Sequence, residues 1–154
     1  MPLRNPTDLK PALQPGSRLL GIDLGTKTIG LALSDTLLMV ATPLKTLERG
    51  KFTRDVGLLQ QLRREHNVGG LIIGLPINMD GSEGPRAQST RAFARNLGKL
   101  TELPIALWDE RLSTVAVERD LIAADVSRKK RAAVIDQHAA AFILQGALDR
   151  LARL

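Results

Sequence analysis

The sequence predicts an α/β domain in which a mixed sheet of about five strands, a three-strand meander followed by alternating helix and strand, is covered by helices. Three observations carry this. Residues 18–47 hold three apolar, strand-like runs separated by short polar breaks. From residue 51 the apolar period lengthens to that of a helix. Beyond it, strand-like and helix-like stretches alternate. At 154 residues the chain fits one domain with a single substantial core.

The elements follow in order. Residues 1–17, MPLRNPTDLKPALQPGS, hold four prolines and lack the apolar stretch of a secretory signal. They are expected to form a flexible tail outside the fold, leaving 18–154 as the domain. Residues 18–25 and 28–34 (TIGLALS) flank a Gly-Thr-Lys break and read as a hairpin. Residues 38–47 make a third strand, in which Pro43, having no amide proton, belongs at an edge or a bulge. From about 51 to 66, Val56, Leu59 and Leu62 fall at helical spacing. GGLIIGLP (69–76) is a short buried strand, followed by the turn-rich loop INMDGSEG (77–84). Pro85 is placed to open a helix whose apolar face is Ala87, Thr90, Phe93, Ala94 and Leu97. PIALW (104–108) is another strand, and Ser113 or Thr114 can cap a helix through about 125. The basic run SRKKR (127–131) leads into a last helix from about 134 to 152.

Composition narrows the chemistry. Cysteine is absent and histidine occurs only at 66 and 138, so neither a disulfide nor a Cys/His zinc site can be assembled, and a reducing cytoplasm is the expected compartment. Any metal must be held by oxygen, which favours Mg2+ or Mn2+. No apolar run reaches the roughly 20 residues that cross a bilayer, so no membrane partner is expected. The 22 Lys and Arg against 16 Asp and Glu give a net charge of +6, which favours a polyanion, nucleic acid first and an acidic membrane second, the alternative being a soluble protein that is simply basic. With no Tyr, one Trp and three Phe there is no stacking platform for splayed bases, so such a partner would be held by backbone and shape.

Three acids stand out. Asp23 interrupts the apolar run Leu19, Leu20, Ile22, Leu24. It is either a turn carboxylate bonded to backbone amides or a functional group, because burying a lone charge costs several kcal/mol. Asp109 and Glu110 hang from the C-terminal end of strand PIALW, the edge where open α/β sheets bind ligands. The alternative is a helix-start acid paired with Arg111, which fits Asp109 at least as well as Glu110. Asp136 shares a helical face with Ala140, Ile143, Ala147 and Leu151. The alternative there is an acid favoured by the helix dipole. Two bare carboxylates about 4 Å apart repel by roughly 4 kcal/mol at an effective dielectric of 20. Three inward acids are therefore a poor structural device, and a good one when divalent cations sit between them.

Four stretches, GIDLGTKTIGLALSD (21–35), IIGLPINMDGSEGPRA (72–87), LWDERLSTVAVERDL (107–121) and KKRAAVIDQHAAAFILQ (129–145), together resemble the YqgF family. Its members are described as pre-16S ribosomal RNA nucleases and as Holliday-junction-resolvase-like proteins. The resemblance runs from about 18 to 150. It implies a ribonuclease-H-like fold, with Asp23, Glu110 and Asp136 as catalytic acids and metal ligands. One departure is visible: similar proteins often have arginine where Thr28 stands. Candidate substrate contacts are Gly25, Thr26 and Lys27 in the turn after Asp23, and Gly81 and Gly84 with Arg86 in the second motif. The stripe Arg91, Arg95 and Lys99, Arg111, and the basic run Arg128, Lys129, Lys130 and Arg131 complete the set. Gly74 is read with Gly81 and Gly84 as leaving room for a phosphate; the alternatives are a turn with no ligand there, a solvated face for the Arg91 stripe and a charged loop for residues 128–131.

The leading expectation is a metal-dependent nuclease acting on structured nucleic acid, with 5′-end processing of pre-16S rRNA favoured. Holliday junction resolution in DNA is the alternative and would require a two-fold homodimer. Two further readings are a nucleotide-dependent switch, because Asp-Leu-Gly-Thr also resembles the phosphate motif of actin, Hsp70 and sugar kinases, and a non-catalytic RNA-binding module.

Overall fold

The structure is a computed structural model that describes the backbone of residues 6–112 and 128–153, and side chains over 8–112 and 137–153. Five strands form one sheet, β1 (Arg18–Leu24), β2 (Thr28–Ser34), β3 (Ala41–Glu48), β4 (Val68–Leu75) and β5 (Ile105–Asp109), in the order β3-β2-β1-β4-β5. β1, β2 and β3 are antiparallel neighbours, whereas β4 and β5 run parallel to β1. The helices are α1 (Pro6–Leu9), α2 (Phe52–His66), α3 (Pro85–Gly98) and α4 (Arg128–Ala152). The mixed sheet and the expected strand and helix order are as the sequence predicts. The helix expected after Ser113 lies outside the described residues.

β1 occupies the middle of the sheet and is buried on both faces, which is why its sequence is apolar with little alternation. Leu20, Ile22 and Leu24 point into one apolar layer with Val56, Leu59 and Leu62 of α2 and Phe93 and Leu97 of α3. Leu19 points into the other, with Ala140, Ile143, Leu144 and Leu148 of α4. Pro43 takes both of its expected situations at once: β3 is an edge strand, and its pairing slips beside Pro43, where Leu31 faces Lys45 but Ala32 faces Pro43.

Two boundaries differ from the sequence reading. α4 is described from Arg128 onward, so residues 128–131 of the basic run are helical instead of forming a preceding loop. Arg and Lys are strong helix formers, which suits them to a helical turn. The leader is the second correction. Pro6–Leu9 is helical, Lys10–Ala12 is a 3-10 turn, and Leu9 is fully buried against the α4 layer. Four prolines disguise a segment that nonetheless carries one leucine the core needs.

Candidate active site

Strand parity decides which way the acids face. Along β1, a side chain at Gly21 would meet Leu144 and Ala140 of α4, so Asp23, two residues on, projects from the same face. Asp23 is 1% exposed, a carboxylate placed in the layer between sheet and helix. It stands at the C-terminal end of β1, paired with Gly30 of β2. On the other side Ile22 pairs with Ile73 of β4, and continuing that register by one sets Asp23 beside Gly74.

Glu110 arrives at the same place from β5. Trp108 packs on Gly146 of α4, where a Cβ would lie 3.0 Å from the indole. Asp109 falls on the opposite face, and the chain then turns into a 3-10 segment, Glu110–Leu112. That turn swings Glu110 back over the α4 face, where its Oε1 is buried and would lie 2.8 Å from a Cβ at Gly74. Two carboxylates, from β1 and from the end of β5, therefore border the same glycine. Gly74, expected to serve phosphate approach, is instead the gap into which Glu110 and Ile143 fit.

Asp109 has a different occupation. Its carboxylate accepts two bonds from the Arg111 guanidinium, 2.8 Å from Nη2 and 3.1 Å from Nε, and a third from the Arg111 amide. Those bonds hold the Asp109 carboxyl below its ordinary range and engage Arg111, an expected substrate contact. Arg91 is engaged as well: its Nη2 donates to Glu83 at 2.9 Å, which lowers the Glu83 carboxyl and ties α3 to the loop before it. Arg95 and Lys99 on the same helix are exposed. Gly81 sits at φ 90 in a loop closed on itself by Asn78, Asp80 and Ser82, and Gly84 precedes α3. Asp136 lies in α4, one turn before Ala140, but its side chain is outside the described residues, as are those of Arg128, Lys129, Lys130 and Arg131.

The turn after Asp23 is closed by the Gly25 amide donating to the Thr28 carbonyl, 2.9 Å, with Thr26 and Lys27 exposed at its tip. Two guanidinia hold it. Arg86 donates to the Leu24 carbonyl at 3.3 Å, and Arg49 donates to the Gly25 carbonyl at 2.7 Å. Arg49 escaped the sequence reading because ERGK between a strand and a helix looks like an ordinary charged corner. The Asp55 carboxylate, 2% exposed, anchors that corner by accepting the Gly50 amide. A cavity of about 430 Å³ lies at the other end of the sheet around Ser17, Arg63 and Pro104, away from these acids.

Asp23 and Glu110 suit an oxygen-seeking cation: both are hard donors, Asp23 is buried, Glu110 is half-buried with its Oε1 turned inward, and Gly74 leaves the space between strands clear for Glu110. Among the described residues no group of three metal-ligating side chains meets; the side chain of the third expected ligand, Asp136, lies outside them.

Comparison with known proteins decides the family. A family model described as "RuvX: Holliday junction resolvase" matches residues 17–150. This chain belongs to the RuvX family. That is the YqgF family of the sequence reading under its other name. The chain is 68% identical over 140 residues to a protein of Rhodopseudomonas palustris strain BisA53, covering 91% of this chain and 86% of that one. It is 63% identical over 147 residues to a Rhodobacter capsulatus protein, covering 96% and 92%. Both are named "Putative pre-16S rRNA nuclease". Among solved structures, Thermus thermophilus RuvC in complex with a Holliday junction substrate superposes with a TM-score of 0.55 at 10% identity, covering 88% of this chain and 96% of that one. The yeast mitochondrial Holliday junction resolvase Ydc2 gives 0.50 at 14%, covering 94% and 83%. At such identities these two establish the ribonuclease-H-like fold.

Proposed function

We propose that this protein is a divalent-metal-dependent nuclease that hydrolyses phosphodiester bonds in structured RNA, and that its substrate is the 5′ end of precursor 16S rRNA. The observation that carries this reading is the convergence of Asp23 and Glu110 over Gly74 on the α4 face. Asp136, on the helix that covers that face, completes the ligand set, and the ions are Mg2+ or Mn2+. Bound there, such ions would polarise the scissile phosphate and lower the pKa of an attacking water. The chain's own part is to hold hard oxygen donors rigidly on two strands, and to keep α4 packed so that bulk water is excluded beside them. The turn Gly25-Thr26-Lys27, with Arg86 and the basic start of α4, receives the flanking backbone. The relatives more than 60% identical to this chain, by the name they carry, support RNA as the polymer. A net charge of +6 and the absence of cysteine fit work on nucleic acid in the cytoplasm.

The test is a cleavage assay on 5′-extended 16S precursor, unstructured RNA and a synthetic four-way DNA junction, with and without Mg2+ or Mn2+. The precursor should be cut only with metal. Asp23→Asn, Glu110→Gln and Asp136→Asn should each lower the rate at least about a hundredfold. Full activity in Asp23→Asn would defeat the proposal. The family's description favours a second reading, resolution of Holliday junctions. It predicts symmetric cuts in the junction by a homodimer, and a strictly monomeric protein that ignores junctions would eliminate it.

A further inference from the structure

On the far side of the turn from Asp23 and Glu110 lies a cavity of about 210 Å³ lined by Gly25, Thr26, Arg49, Arg86, Ser89 and Thr90 with Leu24 and Pro85. Leu24 faces the α2–α3 layer, so this cavity and the two acids occupy opposite sides of the end of β1. The cavity's lining includes two guanidinia and no carboxylate. Both cations are held in place by the carbonyls of consecutive residues, Leu24 and Gly25. A carbonyl engages only part of a guanidinium's five-donor fork, and two neighbouring cations repel unless an anion lies between them. Arg49 is fixed further. Its guanidinium carbon lies 5.9 Å from the centre of the Phe93 ring, which is stacked on Phe52, and the adjoining Gly50 amide is held by buried Asp55. Such pre-organisation suits recognition of a phosphate by bidentate bonds.

We infer that Arg49 and Arg86 form a clamp for a non-scissile backbone phosphate, so that the substrate strand crosses the sheet edge from the acids to the α3 side of the turn. This rests on the nuclease reading for the identity of the polymer, and its test is independent of cleavage. Binding of a fluorescein-labelled RNA hairpin with a single-stranded 5′ extension is measured by anisotropy in EDTA, across a salt series. Arg49→Ala and Arg86→Ala should each weaken binding about tenfold and make the log K against log salt slope shallower by about 1. Arg64→Ala, which removes an equal charge from an exposed position on α2, should change both far less. Both arginines brace the turn, but Arg86 is exposed whereas Arg49 is half-buried beside Phe93, so Arg86→Ala carries the test if Arg49→Ala unfolds. Effects no larger than those of Arg64→Ala would overturn the clamp. So would inorganic phosphate that shifts the Arg49 and Arg86 Nε–H resonances without displacing RNA, since the cavity would then serve a free anion. Absence of cleavage together with the predicted binding losses would sink the nuclease reading and leave the clamp standing.

Discussion

A single missing methyl group at Gly74 governs the geometry of the acids. A Cβ there would lie 2.5 Å from Ile143 Cδ1 and 2.8 Å from Glu110 Oε1. Ile143 is fully buried, so Gly74→Ala should destabilise the protein by about 1–3 kcal/mol in urea unfolding and displace Glu110. Adding Ile143→Val should recover part of that stability and little of the cleavage; recovery of both would mean that Glu110 never depended on the glycine. The same scale explains why adjacent acids divide their tasks. Asp109 and Glu110 sit next to each other in the sequence, yet alternation along β5 and the 3-10 turn send them to different faces. Arg111 takes the first, and the second turns inward.

At the scale of elements, the site depends on how closely α4 lies on the sheet. Gly21 and Gly146 are further contacts where a side chain would collide, with Leu144 and with Trp108. On the other side of the sheet edge, α3 is latched to the loop 77–84 by Glu83 and Arg91. The guanidinium holds the Glu83 carboxyl below its ordinary value of 4.5. A depressed folded pKa means that the latch contributes at neutral pH and down through the ordinary carboxylate range, and is lost as pH falls through the lowered value. The Arg91 Nε–H resonance should therefore titrate at a pH below 4.5, and in Glu83→Gln it should show no titration there. A transition at or above the ordinary value would show that the pair does not form.

At the scale of the molecule, the leader closes the far end of the layer that holds the acids. Leu9 is fully buried, and Lys10 Nζ reaches the Leu151 carbonyl, 3.4 Å, near the end of α4. Leu9→Ala should cost about 2–5 kcal/mol of unfolding free energy, as a buried leucine does when truncated. Unfolding at the wild-type urea concentration would return the segment to the status of a tail. Among the described residues, no helix is long and apolar enough to cross a membrane.

Much of this was legible in the sequence because it is local or periodic. The apolar runs set five strands, the change of period set α2 and α3, Pro43 marked an edge, and Asp23 announced itself as a charge inside an apolar strand. Burial and encounter were not legible. Leu9 looks like part of a proline-rich tail, Arg49 like a charged corner, and Gly74 like a loop glycine, because each acquires its role from residues 20 or more positions away in the chain. Sequence patterning fixes which way a side chain points relative to its own strand or helix. Only the packing of distant segments decides what it meets there, and that is why Asp23 and Glu110 could be named from the chain while the place of the glycine that admits Glu110, and of Arg49 across the turn, had to be seen folded.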